Sequence, residues 1–185
     1  MRRAIGLLAV FASLLAATGA TAQVGRPQEY EVKAAYLYSF GKFVEWPAPS
    51  TPAESASFLV CVLGQDPFGP TLDETVVDAV VRDRPVVIRR VTRAEDAVTC
   101  QVVFISASED AALEPALTIL GRSPVLTVGD LPRFAERGGM VEFVVQASRV
   151  RFAVNRSAAE AAGLALSSEL LRVATRVLGT PGAGR

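Results

Sequence analysis

Two rhythms of apolar and polar positions run along this chain, one of helical and one of strand spacing, and Gly and Pro mark the changes between them. In VKAAYLYSFGKFVEWP, Val32, Tyr36, Phe40, Phe43 and Val44 recur at the three-and-four spacing of one helix face. Glu29, Lys33, Lys42 and Glu45 can lie away from that face. The spacing predicts an amphipathic first helix packed on a sheet and stopped by Pro47. Beyond a Pro/Ser/Thr-rich connection, PAPSTPAES, short runs of branched apolar residues predict strands: Ser57 to Gly64, Pro85 to Val91, Cys100 to Ser106 and Pro124 to Asp130. The run CQVVFIS is apolar enough to be buried on both faces.

Helical segments separate these runs. Asp66 and Pro67 form a cap and first position for a helix near Phe68 to Ala79, with Gly69 and Pro70 weakening its start. After Ser108, the stripe Ala112, Leu113, Leu117 and Leu120 ends at Gly121 and predicts a second, with Pro115 in its middle. LPRFAERGG then carries a helical turn into Gly138 and Gly139, which mark a sharp re-entry to the sheet.

MVEFVVQ and RVRFAVN flank only Ala147 and Ser148, so they predict a tight hairpin. In that register Val145 faces Val150, Phe143 faces Phe152 and Val141 faces Val154, all on one buried side. Glu142, Val144, Gln146, Arg149 and Arg151 fall on the other, polar side, with Glu142 diagonal to Arg151. Asn155 reads as a cap and Ser157 with Glu160 as a capping box for AAEAAG, ended by Gly163. Ser167 starts a last helix whose apolar face is Leu170, Leu171, Ala174, Val177 and Leu178. The expected fold class is α/β: a single domain with a mixed, partly parallel sheet flanked by helices on both faces, and a C-terminal β-hairpin followed by helix.

The first residues change the picture of where this domain works. Arg2 and Arg3, an apolar run from Ala4 to Ala17, and small residues at Ala20 and Ala22 have the pattern of a secretory signal, expected to be cleaved after Ala22. A retained anchor is the alternative, but the run is short of the ~20 residues that span a bilayer. The predicted organisation is therefore a signal peptide over 1–22 and one domain over 23–185. Removing Arg2 and Arg3 leaves 17 basic against 19 acidic side chains, so no electrostatic drive toward nucleic acid is visible. Cys61 and Cys100 are an even pair in an exported chain, which favours one disulfide; two buried free thiols are the alternative.

The chain has no His, which removes Ser-His-Asp and Cys-His nucleophiles and the zinc-hydrolase helix. There is no G-x-S-x-G elbow and no metal-ligand cluster, and GQDPFG lacks the spacing of a dinucleotide loop. Neither a metal nor a cofactor is expected. The candidate binding residues are of three kinds. Arg149 and Arg151, with Glu142 near, offer fork geometry to an anion or a partner carboxylate, against the plainer reading of a solvated hairpin face. Thr127 and Asp130 stand at the carboxyl end of a predicted parallel strand, as Ser106 and Ser108 do at another, where open α/β sheets place ligands; the plainer reading is a loop with Asp as a cap. Tyr38 and Trp46 lie off the main stripe and are candidate anchors for a partner.

Taken in order, VKAAYLYSFGKFVEWP, RDRPVVIRRV, CQVVFIS, PVLTVGD, GGMVEF and NRSAAEAAGLALSSELLRVA resemble the YfiR family of small exported regulators over nearly all of the mature chain. The resemblance implies a periplasmic, non-enzymatic repressor that binds the periplasmic sensor part of a membrane diguanylate cyclase of the YfiN type and lowers cyclic di-GMP. It further implies sequestration by a YfiB-like outer-membrane-associated protein, and a homodimer, since some members are dimers. A second Cys pair found in some members is missing here, and Cys61 with Cys100 would be the structural pair. Two other readings stand beside it. One is a periplasmic ligand-binding module coupled to a histidine kinase or other receptor; the other is a small α/β hydrolase using Asp130, Glu142 or a Ser.

Overall fold

The computed structural model describes residues 26–47 and 56–179. The expected signal and its cleavage point, most of the PAPSTPAES connection and the TPGAGR tail lie outside the described residues. The elements are α1 (Arg26–Phe40), β1 (Val44–Glu45), β2 (Phe58–Leu63), α2 (Pro70–Thr75), β3 (Val80–Val81), β4 (Arg84–Val91), β5 (Val102–Ile105) and α3 (Leu113–Leu120). They continue as β6 (Leu126–Gly129), β7 (Val141–Gln146), β8 (Arg149–Asn155), α4 (Arg156–Ala161), β9 (Ala165–Leu166), α5 (Ser168–Val173) and β10 (Arg176–Leu178). Two 3-10 helices, Ala94–Ala97 and Ala107–Ala112, flank β5.

The main sheet runs β10-β8-β7-β6-β5-β2-β4-β3. Its middle, β4, β2, β5, β6 and β7, is parallel throughout. β8 turns back antiparallel to β7, β10 adds parallel to β8, and β3 pairs antiparallel with β4. Parallel strands need both faces covered, and successive side chains here go to two separate cores. Val60, Val62, Val102, Phe104, Leu126 and Val128 join Ala34, Leu37 and Phe40 of α1 on one face. Cys61, Leu63, Val103 and Ile105 join Leu113, Ala116 and Leu120 of α3 on the other. This is the mixed α/β domain with helices on both faces that the sequence predicts.

On the α3 face, Cys61 and Cys100 are bonded, tying β2 to the turn before β5. Beside them the ring of Phe134 is held between two glycines: a Cβ at position 129 would stand 2.7 Å from it, and one at 139 only 2.0 Å. The Gly-Gly pair is thus used twice, Gly138 for its positive φ of 106° and Gly139 for close approach.

Several predicted elements end earlier than expected. α1 stops at Phe40, not at Pro47, because Gly41 tucks under the Phe58 ring and the chain leaves through three turn hydrogen bonds into β1. α2 starts at Pro70 rather than near Phe68: Asp66 accepts from the Phe68 amide in a local turn, and Gly69 is the cap residue. The segment after Ser108 splits into a 3-10 turn and α3, which places Pro115 in the first turn of α3, where its missing N–H costs nothing. LPRFAERGG forms hydrogen-bonded turns leading into the glycine pair, as expected.

Asn155 caps α4 by accepting from the Ala158 amide, but the expected capping box does not form, since Glu160 bonds Arg156 at 2.6 Å. The last helix ends at Val173. Thr175 gives both its N–H and its hydroxyl to the Phe152 carbonyl, so Arg176 to Leu178 become β10 instead of more helix. The hairpin has the predicted register, with Ala147 and Ser148 at φ of 47° and 58°. Its tip is not buried: Val145 is 54% exposed and Val150 half-buried.

At the carboxyl end of β4, Arg90 holds Asp66 in the turn before α2 at 2.8 Å and Asp73 within α2 at 2.5 Å. The Arg90 hydrogen bonds hold the Asp73 carboxyl below its ordinary value, against partial desolvation, and Asp73 raises Arg90 in return. A lowered carboxyl pKa contributes stability above the unfolded value, and that contribution is lost as pH falls below about 4. Asp73→Asn is expected to flatten the acid limb of the stability curve, read as a smaller difference in urea midpoint between neutral and acid pH than in the wild type. Reduction of Cys61–Cys100, which closes a separation of 39 residues, is expected to cost about 4 kcal/mol in the chain-entropy model, measured by denaturant unfolding with and without reductant.

Candidate functional site

The side of α1 that meets the sheet is rotated from the one its aromatic spacing suggests: Phe40 is buried as expected, Tyr36 only in part, and Val32 is exposed. Lys33, expected on the polar side, is 2% exposed and lies over the carboxyl end of β6. Its Nζ stands 2.7 Å from Asp130 Oδ2 and 2.5 Å from Glu29 Oε1. The Tyr30 hydroxyl donates to the same Asp130 oxygen at 2.9 Å, and Lys33 Nζ lies 4.5 Å from the centre of the Tyr30 ring. A buried ammonium needs such company, because its desolvation is otherwise uncompensated. Asp130 is therefore the anchor of α1, and Lys33, Tyr30 and Glu29 are partners the sequence reading did not assign to it. Tyr30 and Asp130 are separated by 100 residues, so no local spacing announces the contact.

With Lys33, Ala34, Leu37 and Phe40 turned inward, the other apolar residues of α1 are left at its flank. Val32, Ala35, Tyr36 and Phe43 line an open groove of about 640 Å³ between α1 and α5, completed by Phe152, Leu170 and Val173. The few polar positions in it are Glu31, Ser39 and Glu169. Tyr36 is held by Phe40 and Phe152, with ring centres 5.8 and 5.6 Å away. Val32 and Val173 remain 43% and 64% exposed. Val32 also borders a second, more polar recess of about 610 Å³ against the hairpin tip, which includes Gln28, Ser148, Arg149 and Arg151.

The other predicted site residues do not converge on this groove. Thr127 is 1% exposed and its hydroxyl accepts from the Met140 amide, a structural role. Glu142 does face away from the hairpin core and has Arg151 diagonal to it, as the register predicts, yet it is buried: it accepts from the Ala135 amide at 3.0 Å and lies 4.0 Å from Arg176. Arg149 and Arg151 are exposed. Tyr38 is half-buried with Lys42 over its ring, and Trp46 packs edge-on against Phe58 with Arg82 above it, so both lie at the rim of the core. Among the described residues no three of Cys, Asp and Glu come together as a metal site would require. The groove is walled mainly by apolar side chains.

A family model described as YfiR/HmsC-like matches residues 30–175, from Tyr30 of the anchor to Thr175 before β10. The chain belongs to the YfiR/HmsC-like family. This is a family of periplasmic regulators, and the match takes in most of α1, both faces of the sheet and the groove. None of the curated proteins compared with this YfiR/HmsC-like chain matches it. Two solved structures share its fold. A conserved domain protein of Vibrio cholerae is 11% identical with a TM-score of 0.50, over 70% of this chain and 57% of that one. The ABC domain of a Streptococcus pneumoniae protein in complex with L-Trp is 10% identical with a TM-score of 0.54, over 78% of this chain and 60% of that one. The YfiR/HmsC-like chain thus spans less than two thirds of the length of either.

Lys33→Met is expected to lower stability by about 3–5 kcal/mol, because it leaves the Asp130 carboxylate buried without its cation. Adding Asp130→Asn to it should recover part of that loss, and a double-mutant cycle in urea would measure the coupling.

Proposed function

We propose that this chain is an exported, non-enzymatic regulator that binds the periplasmic sensor part of a membrane diguanylate cyclase of the YfiN type and holds it inactive, so lowering cyclic di-GMP. The observation that carries this reading is the apolar groove between α1 and α5. A soluble surface normally keeps large apolar side chains apart, and here Val32, Tyr36, Phe43 and Val173 line one cleft. Membership in a family of periplasmic regulators supports the same reading. Control across a membrane needs only that the regulator bind one state of the cyclase more tightly. A difference of about 5.5 kcal/mol moves a two-state receptor from mostly active to mostly inactive, within reach of a standard interface. A YfiB-like outer-membrane-associated protein competing for the regulator would relieve repression, and a homodimer is compatible with either binding mode.

A second reading draws on the size of the same groove, since about 640 Å³ with mostly apolar walls also suits a small apolar ligand. The chain would then be a ligand-binding module coupled to a histidine kinase or other receptor. The two separate in one experiment. Mature protein from Gln23 onward is used to capture membrane proteins of the source cell, and cyclic di-GMP is measured on gene deletion. The regulator reading expects recovery of a GGDEF-containing membrane protein and raised cyclic di-GMP. Val173→Asp, at an exposed position, is expected to abolish that capture with unchanged unfolding, whereas unchanged cyclic di-GMP and no cyclase recovered would sink the reading.

A further inference from the structure

β8 is seven residues long and β10 only three. β10 runs beside Ala153, Val154 and Asn155, and Thr175 bonds the Phe152 carbonyl. Among the described residues no strand flanks Arg149, Val150 or Arg151 on their outer side. The two-residue turn at Ala147 and Ser148 makes Gln146 and Arg149 a hydrogen-bonded pair, so the next, Val145 and Val150, is a non-bonded one. The N–H and C=O of Val150 therefore point away from β7, toward an edge that is open among the described residues. Edges of this kind are templates for another strand.

The side chains beside this edge restrict what can be added. On one face stand Arg149 and Arg151, exposed, opposite the uncharged Gln146 and Val144. Arg176, farther along the same face, is already bound to Glu136 at 2.7 Å. On the other face Val150 and the exposed Val145 and Val32 border the recess against α1, which both arginines also line and where Glu29 is already taken up by Lys33 at 2.5 Å. A second copy of this chain fits badly: two such edges paired antiparallel about Val150 would set Arg149 of each opposite Arg151 of the other, and like charges directly across a ladder are destabilising.

We infer that the open edge of β8 receives an extended segment of a partner protein as an added strand, its acidic side chains on the arginine face alternating with apolar ones over Val32 and Val145. The inference rests on the reading that the chain acts by binding a protein. It adds backbone pairing at β8 and charge selection by Arg149 and Arg151 to the apolar groove.

The test uses mature protein from Gln23 onward and two short extended peptides, one alternating valine with glutamate and one valine with lysine. The glutamate peptide is expected to bind and to slow hydrogen exchange at the Val150 amide. The charge variant R149E/R151E should weaken that binding about tenfold or more and favour the lysine peptide, and R149Q/R151Q should weaken it less. Equal binding of both peptides, binding of neither, or an unchanged Val150 amide overturns strand addition and leaves the arginines as guards of a bare edge. Cyclase capture lost with Val173→Asp but kept with R149E/R151E would also overturn it while the regulatory reading stands. Failure of the wild type to capture any cyclase, with the glutamate peptide still bound at Val150, would count against the regulatory reading alone.

Discussion

A parallel sheet must be covered on both faces, and the middle five strands of this domain are parallel. From that requirement come the continuous apolar runs of β2 and β5, whose side chains go alternately to the α1 core and the α3 core. It also explains the position of the disulfide. Cys61 and Cys100 sit on the α3 side, where cover comes from short elements, the two 3-10 helices and the eight residues of α3. A covalent tie there restrains the face with the less continuous helical cover.

On the opposite face the cover is α1, and its rotation is set by one buried cation. Lys33 reaches Asp130 and Glu29 inside the protein, which fixes which residues of α1 point down. Leu37 and Phe40 become core, while Val32 and Tyr36 become the wall of a groove. A helix with apolar residues on two sides and a lysine on the buried one has a weak pattern of its own. The tertiary ion pair resolves the ambiguity, and in doing so leaves Val32 exposed at the groove.

The same economy appears at the end of the chain. α5 could have continued along Ala174, Val177 and Leu178, but six residues of helix give way to a strand. β10 covers only part of β8, so the domain closes its sheet incompletely on the side where the hairpin tip, α1 and α5 meet. Groove and recess are neighbours joined by Val32, and the recess reaches the edge of β8 at Val150; that edge follows from how little of β8 the last strand reaches.

The sequence by itself determined the local elements whose signals are short-ranged. The hairpin register from Val141 to Val154 follows from side-chain alternation and a two-residue turn, and the strand runs, the Asn155 and Ser167 caps and the family likeness are equally local. Only the tertiary structure decided the burial of Lys33, the inward turn of Glu142, the end of α1 at Gly41 and the switch of Arg176 to Leu178 into a strand. Each of these depends on a partner outside its own element: Asp130 for Lys33, Ala135 and Arg176 for Glu142, Phe58 for Gly41, and Phe152 for Thr175. β1, β3 and β9 are two residues each, too short to carry any periodicity, and exist because a neighbouring backbone is there to pair with them. The candidate site belongs to this second class, because a groove is the space left between elements, and no single segment encodes it.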